Sequence, residues 1–375
     1  MLQAQEEIPL KETTVQADKV DLKGLLPDEL EALIQEWGQP GYKSRQLLAW
    51  IYGRGVSDWQ AMTDLSKVFR QKLAEEACIT RLTEDQRNVS TTGQAIKFLF
   101  ALPGGERVES VLIIDGKRRT ACLSSQVGCA LDCKFCATGK MGFMRNLTAA
   151  EIIDQLVQVD QVLRAQGERV TNVVMMGMGE PLLNYDQVVR AIRLMRLEMG
   201  TAVGGRRITV STAGCLPGIQ RLSREGLNVG LAVSLNATTD EIREQLMPIN
   251  RKYKIAQLLE ASAEYFELSG RRPTFEYILM DGVTDADDDA LRLAELTRGS
   301  PCKINLIPYN ELGPDSQYRR PPNQRLARFR RLLEERSPMA VTMRESRGRD
   351  IDAACGQLYQ AQQRRRPAGS RRALA

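Results

Sequence analysis

Apolar residues in "PDELEALIQEWGQPGYKSRQLLAWIYGRG", from Pro27 to Gly55, recur at three- and four-residue intervals and are interrupted at Gly38, Pro40 and Gly41. That spacing predicts helices separated by turns. It continues to about Ala77 and defines a small helical unit with Trp50 and Tyr52 near its core. Two runs of strand character follow, "AIKFLFAL" (Ala95 to Leu102) and "RVESVLII" (Arg107 to Ile114). The intervening "PGGE" reads as the turn of a hairpin.

Beyond Gly116 the pattern alternates. Strand-like runs stand at "TACLSS", "VTNVVMMG", "RRITVSTAG", "GLAVSLNA", "TFEYILM" and "KINLIPYN". Helical periodicity lies between several of them, as in "TAAEIIDQLVQVDQVLRAQG" and "NYDQVVRAIRLMRLEMG". Thr148 is the expected N-cap of the first of these, with Glu151 completing a capping box. Alternation of this kind predicts parallel strands joined by right-handed crossovers, an α/β fold. Six units predict an incomplete, TIM-like (β/α)6 barrel, whose chemistry gathers at the C-terminal strand ends. A doubly wound open sheet is the alternative. The cysteine loop, "GMGEPL", "STAG", "SLNA" and "PYN" all follow strands, so small and polar residues collect at that one end.

Composition narrows the chemistry. The chain contains no histidine, which excludes Ser-His-Asp triads, Cys-His nucleophiles and histidine-ligated zinc or iron. A metal here must be held by thiolates, and proton transfer at neutral pH falls to Glu, Asp, Cys or Lys. The N-terminal stretch "MLQAQEEIPLKETTVQADK" lacks the basic and apolar regions of a signal peptide, and no apolar run approaches the roughly 18 residues of a membrane span. The expected location is cytoplasmic, where the eight cysteines stay reduced. The net charge of +5 is mild. It is concentrated in "YRRPPNQRLARFRRLLEER" (Tyr318 to Arg336) and in the tail "QQRRRPAGSRRALA".

"SSQVGCALDCKFCATGKMGF" places Cys129, Cys133 and Cys136 within eight residues. A [4Fe–4S] cluster normally takes four protein ligands, one per iron, so three thiolates leave one iron open to a small molecule. The rival is a structural zinc site with Cys122 as fourth ligand, although zinc sites more often pair two Cys-x2-Cys elements.

Cys-x3-Cys-x-aromatic-Cys, with Phe135 before the last cysteine, resembles the signature of radical S-adenosylmethionine (SAM) enzymes. That resemblance implies SAM chelated at the open iron and cleaved to a 5′-deoxyadenosyl radical. "CALDCKFCATGKMGFMRNLTAAEI", "NVVMMGMGEPLLN", "RRITVSTAG", "CKINLIPYN" and "RGRDIDAACGQL" together resemble the RlmN family of RNA adenine C2-methyltransferases, from about Gly38 to Leu358. The implied boundaries are residues 1–94 for an N-terminal accessory helical domain that contacts RNA, 95–114 for a connecting hairpin, 115–350 for the barrel and 351–375 for a C-terminal catalytic segment with a basic tail.

The resemblance also implies roles. Cys355 would accept a methyl group from one SAM, and a radical made from a second SAM would activate it for addition to adenine. Cys122 would release the product by a transient disulfide with Cys355. Glu109 matches the family's proton acceptor, with Cys122 as competitor; an exposed strand glutamate is the plainer interpretation. Cys129, Cys133 and Cys136 would hold the cluster. Gly179, Glu180, Ser211, Ser234, Leu235, Asn236 and Asn310 match SAM positions. Some relatives have histidine where this chain has Asn236, which cannot titrate. Cys78, Cys215 and Cys302 are expected as small buried hydrophobes. Implied partners are an adenine of 23S ribosomal RNA, the adenine 3′ to the anticodon in some transfer RNAs, and a reductant such as flavodoxin or ferredoxin; a monomer is expected. Tyr318 to Arg336 and "GKRR" at Gly116 to Arg119 are the implied RNA contacts, a solvated helix face being the plainer interpretation of the first; the tail is expected either to bind phosphates or to be disordered. C8 methylation, as in the related Cfr enzymes, and a zinc-stapled RNA-binding protein without catalysis are the alternatives.

Overall fold

Ten strands build one sheet and lie side by side in chain order. They are β1 (Thr83–Val89), β2 (Ala95–Ala101), β3 (Arg107–Asp115), β4 (Arg118–Cys122), β5 (Asn172–Met175), β6 (Ile208–Thr212), β7 (Gly230–Ser234), β8 (Thr274–Leu279), β9 (Lys303–Pro308) and β10 (Ala340–Met343). The computed structural model describes residues 19–358, so the Arg-rich tail lies outside the described residues. From β4 to β10 every neighbouring pair is parallel. β1 to β4 form an antiparallel meander on one flank. A doubly wound sheet reverses its strand order at a switch point, whereas this order never reverses. The wall is therefore that of a barrel, left open between edge strands β1 and β10.

Two strands were not predicted from the pattern. β10 is four residues long and only half-buried, and β1, "TEDQRNV", has almost no apolar side chains. Both are edge strands, where burial on one side is weak and the periodic signal fades. The 95–114 hairpin is continuous with the barrel wall through the β3–β4 ladder.

The N-terminal helices are α1 (Pro27–Glu36), α2 (Tyr42–Leu48) and α3 (Lys67–Glu76). Trp50 and Tyr52 are buried among them in a π-helical turn spanning Ala49–Arg54. The first crossover helix, α4 (Ala149–Arg164), carries the expected capping box: Glu151 N–H donates to Thr148 Oγ1 at 3.2 Å, and Thr148 N–H to Glu151 Oε2 at 2.9 Å. One buried ion pair, Lys23 with Asp154, joins the N-terminal unit to α4. Asp154 also accepts from Leu82 N–H and from Gln158 Nε2, each at 2.7 Å. Among the described residues no helix is long and apolar enough to cross a membrane.

Candidate active site

At the C-terminal ends of the parallel strands a cavity opens, lined by Cys129, Cys133, Cys136, Gly179, Glu180, Ser211, Ser234, Asn236, Asn310 and Cys355, among others. The cysteine loop reaches it through a two-stranded ribbon, Gln126–Gly128 against Phe143–Asn146. Gly128 adopts φ +74°, and a Cβ there would land on the Gly142 carbonyl oxygen. Only glycine lets the ribbon close. Burial pushes the Cys129 thiol up to about 12 and raises Cys133 and Cys136 as well. Binding of a metal centre would release their protons.

The donor set fits an iron–sulfur cluster. Among the described residues no three His, Cys, Asp or Glu side chains converge closely enough for a single metal ion, whereas a cluster gives each thiolate its own iron. Cys122 lies apart from this trio in an adjoining pocket. Asn310 Oδ1 is buried without a hydrogen-bond partner and belongs to a cavity-lining side chain, an acceptor left for a bound donor.

Around the cavity the predicted SAM positions divide. Gly179, at φ +99°, lies so close to Gln126 that an added Cβ would sit 2.5 Å from its Cβ. Gln126 Oε1 accepts from Glu180 N–H at 2.8 Å. Glu180 is buried; its Oε2 accepts from Ala213 N–H at 2.7 Å and its Oε1 from Leu182 N–H at 3.1 Å. Burial lifts its carboxyl to about 7, against those hydrogen bonds. Leu235 is fully buried and does not line the cavity. Asn236 adopts φ +57°, a conformation asparagine tolerates, and its Oδ1 accepts from Ile278 N–H at 3.1 Å. Its side chain thus fixes the β7–β8 junction.

Arg243, which sequence reasoning missed, organises this rim from behind. Fully buried, it donates to the carbonyls of Leu235, Ala213 and Ser234 at 2.9, 2.7 and 2.9 Å, and to Asn250 Oδ1 at 3.0 Å. Burial lowers its pKa to about 10. A solitary arginine in "TTDEIREQL" reads as a solvated helix face, so periodicity could not have found it.

The C-terminal segment closes over the cavity mouth. Ala137 N–H donates to the Gly356 carbonyl at 2.7 Å, Gln357 Nε2 to the Glu311 carbonyl at 2.9 Å, and Asn310 Nδ2 to the Cys355 carbonyl at 3.3 Å. Cys355 lines both this cavity and a smaller pocket that holds Cys122, Met176 and Arg344. Two cysteines 233 positions apart therefore share one pocket. Burial pushes the Cys122 thiol up to about 12, with Cys355 adding to it. Arg344, just beyond β10, was also missed. Its charged form is favoured chiefly by Cys355, against burial, and further by Glu276 and Cys122.

Glu109 lines neither of these pockets. It is buried, not an exposed strand residue, and its Oε1 stands 3.3 Å from Lys97 Nζ. Cys215 and Cys302 are buried as expected, but Cys78 is only half-buried. The Arg-rich stretch is largely matched by carboxylates: Arg320 with Glu345, Arg325 with Asp285, Arg328 with Asp287, and Arg330 with Glu334. Phosphates would have to compete with these partners. In "GKRR", Arg119 is paired with Glu168, while Lys117 and Arg118 are exposed.

Comparison with known proteins matches residues 123–294 to the radical SAM superfamily and residues 20–79 to the ribosomal RNA large subunit methyltransferase N-terminal domain. The dual-specificity RNA methyltransferase RlmN of Geobacter sulfurreducens is 47% identical over 352 residues, covering 94% of this chain and 95% of that protein. The enzyme of the same description from Marinobacter nauticus is 45% identical over 347 residues, covering 91% of this chain and 93% of that one. A crystal structure of a radical SAM methyltransferase from Sphaerobacter thermophilus, 45% identical, superposes with a TM-score of 0.87 over 91% of this chain and 99% of that chain.

Proposed function

This chain belongs to the dual-specificity RNA methyltransferase RlmN family, and we propose that it methylates C2 of an adenine in 23S ribosomal RNA and of the adenine 3′ to the anticodon in some transfer RNAs. The observation that carries this reading is the placement of Cys355 between the three-thiol cavity and the pocket of Cys122. C2 of adenine is electron-poor and no nucleophile, so the methyl group needs a carrier with access to both a methyl donor and a radical.

Cys129, Cys133 and Cys136 would hold the cluster. When bound, it supplies the electron that splits the sulfonium of SAM. Gly179, Glu180, Ser211, Ser234, Asn236 and Asn310 shape the SAM cavity, with Leu235 supporting the β7 end from the core. Cys355 sulfur first displaces the methyl group of one SAM, forming the new S–C bond while S-adenosylhomocysteine leaves. A radical made from a second SAM would take a hydrogen atom from that S-methyl group, its carbon would join C2, and the unpaired electron left on the ring would pass back to the oxidised cluster. Glu109 takes the ring proton, the C–H electron pair staying with the ring. Cys122 then attacks the Cys355 sulfur: an S–S bond forms, the S–C bond breaks, and the released carbon gains a proton to become the methyl group.

The remaining assignments follow the same chemistry. A low-potential protein such as flavodoxin or ferredoxin supplies electrons, the chain works as a cytoplasmic monomer, and the N-terminal unit contacts RNA. The test is anaerobic turnover on unmodified ribosomal and transfer RNA, followed by nucleoside mass spectrometry. The expected product is 2-methyladenosine; 8-methyladenosine, or none, would contradict the reading.

A further inference from the structure

A buried charged pair lies on the two strands beside the one that ends in Cys122. Lys97 on β2 and Glu109 on β3 approach to 3.3 Å, and each side chain is 3% exposed. The ladders set Lys97 opposite Val111, Val111 opposite Cys122, and Leu99 opposite Glu109. Because side chains alternate along a strand, Lys97, Glu109 and Cys122 share one face of the sheet. That is the face the C-terminal segment crosses: Lys97 Nζ also donates to the Asp352 carbonyl at 3.2 Å, three residues before Cys355.

Burying an ammonium inside the apolar run "AIKFLFA" is unfavourable, and a methionine of similar volume would fill the place without desolvating a charge. What the lysine adds is geometry. One nitrogen fastens the carboxylate of Glu109 and the backbone leading to Cys355 to a common point. We propose that Lys97 is a positioning residue for methyl transfer, setting Glu109 against the carbon that Cys355 delivers. This rests on the roles given above to Glu109 and Cys355. Methyl loading of Cys355 does not involve Glu109, so Lys97 matters afterwards, when the ring proton leaves.

The test compares Lys97→Met, Lys97→Arg and Glu109→Gln in the full-length, cluster-loaded enzyme. Three quantities are read: S-methylation of the Cys355 peptide by mass, turnover on transfer RNA, and the rate ratio for RNA carrying protium or deuterium at adenine C2. The expected Lys97→Met enzyme loads Cys355 as the wild type does. It turns over about tenfold more slowly or worse, and its isotope ratio rises because proton removal has become limiting. Lys97→Arg recovers most of the rate. Should Lys97→Met not fold, Lys97→Gln carries the same expectation. Turnover of Lys97→Met within twofold of wild type overturns the proposal, as does slow turnover with an unchanged isotope ratio or with an unloaded Cys355. If Glu109→Gln is crippled while Lys97→Met is normal, only this proposal fails. If Glu109→Gln turns over normally, the acceptor role itself fails.

Discussion

Cys122 is a thiol that burial holds protonated at neutral pH. Its pKa is pushed up to about 12, so between pH 7 and 9 the thiolate fraction climbs about tenfold per unit. Release of methylated RNA from the covalent adduct should climb with it. The check is a pH series on pre-formed adduct followed by denaturing gel, with Cys122→Ala as the control in which adduct accumulates at every pH. A flat profile would show that another group performs the release. At this scale the sequence was legible where spacing is local, as in Cys129, Cys133 and Cys136. It was silent on Arg344 and Arg243, whose partners arrive from distant strand ends, and on Lys97, whose partners Glu109 and the Asp352 carbonyl lie on other segments. Asn236 marks the middle ground: its position was found, but its left-handed backbone and its bond to Ile278 depend on the β7–β8 junction.

The ribbon Gln126–Gly128 with Phe143–Asn146 shows how an element delivers the ligands. Gly128→Ala places a methyl group against Gly142 at a positive φ. It should cost roughly 2 kcal/mol or more and open the loop before Cys129. Anaerobic reconstitution should then recover less than about half the wild-type iron per chain, while far-ultraviolet circular dichroism stays unchanged. Full iron loading would mean that the loop closes by another route. The parallel strands β4 to β9 were visible as apolar runs because both their faces are covered. β1 and β10 were not, since edge strands keep one side in water and lose the pattern.

The N-terminal unit and the barrel are joined by a pair of buried charges, which makes the whole molecule sensitive to one residue. Lys23→Met would leave Asp154 buried with only Leu82 and Gln158 as donors, a loss of about 3 kcal/mol. A lowered thermal midpoint for the whole chain is expected; unchanged melting would mean that Asp154 is satisfied without the lysine. Alternation of strands and helices made the parallel α/β class legible but left a barrel and a doubly wound sheet both open, because strand order depends on which face each crossover takes; the unreversed order decides for the barrel. The meeting of Cys122 with Cys355 was not legible from periodicity, because it depends on the path of the C-terminal segment over the barrel mouth; family resemblance alone pointed to it. The most direct test of the account uses that meeting. Enzyme whose Cys355 carries an unlabelled methyl group is freed of SAM, then given RNA and trideuteromethyl SAM for a single turnover. The account predicts that the first methyladenosine contains no CD3 methyl group, its carbon having come from Cys355. A CD3-derived methyl in that first product would contradict it.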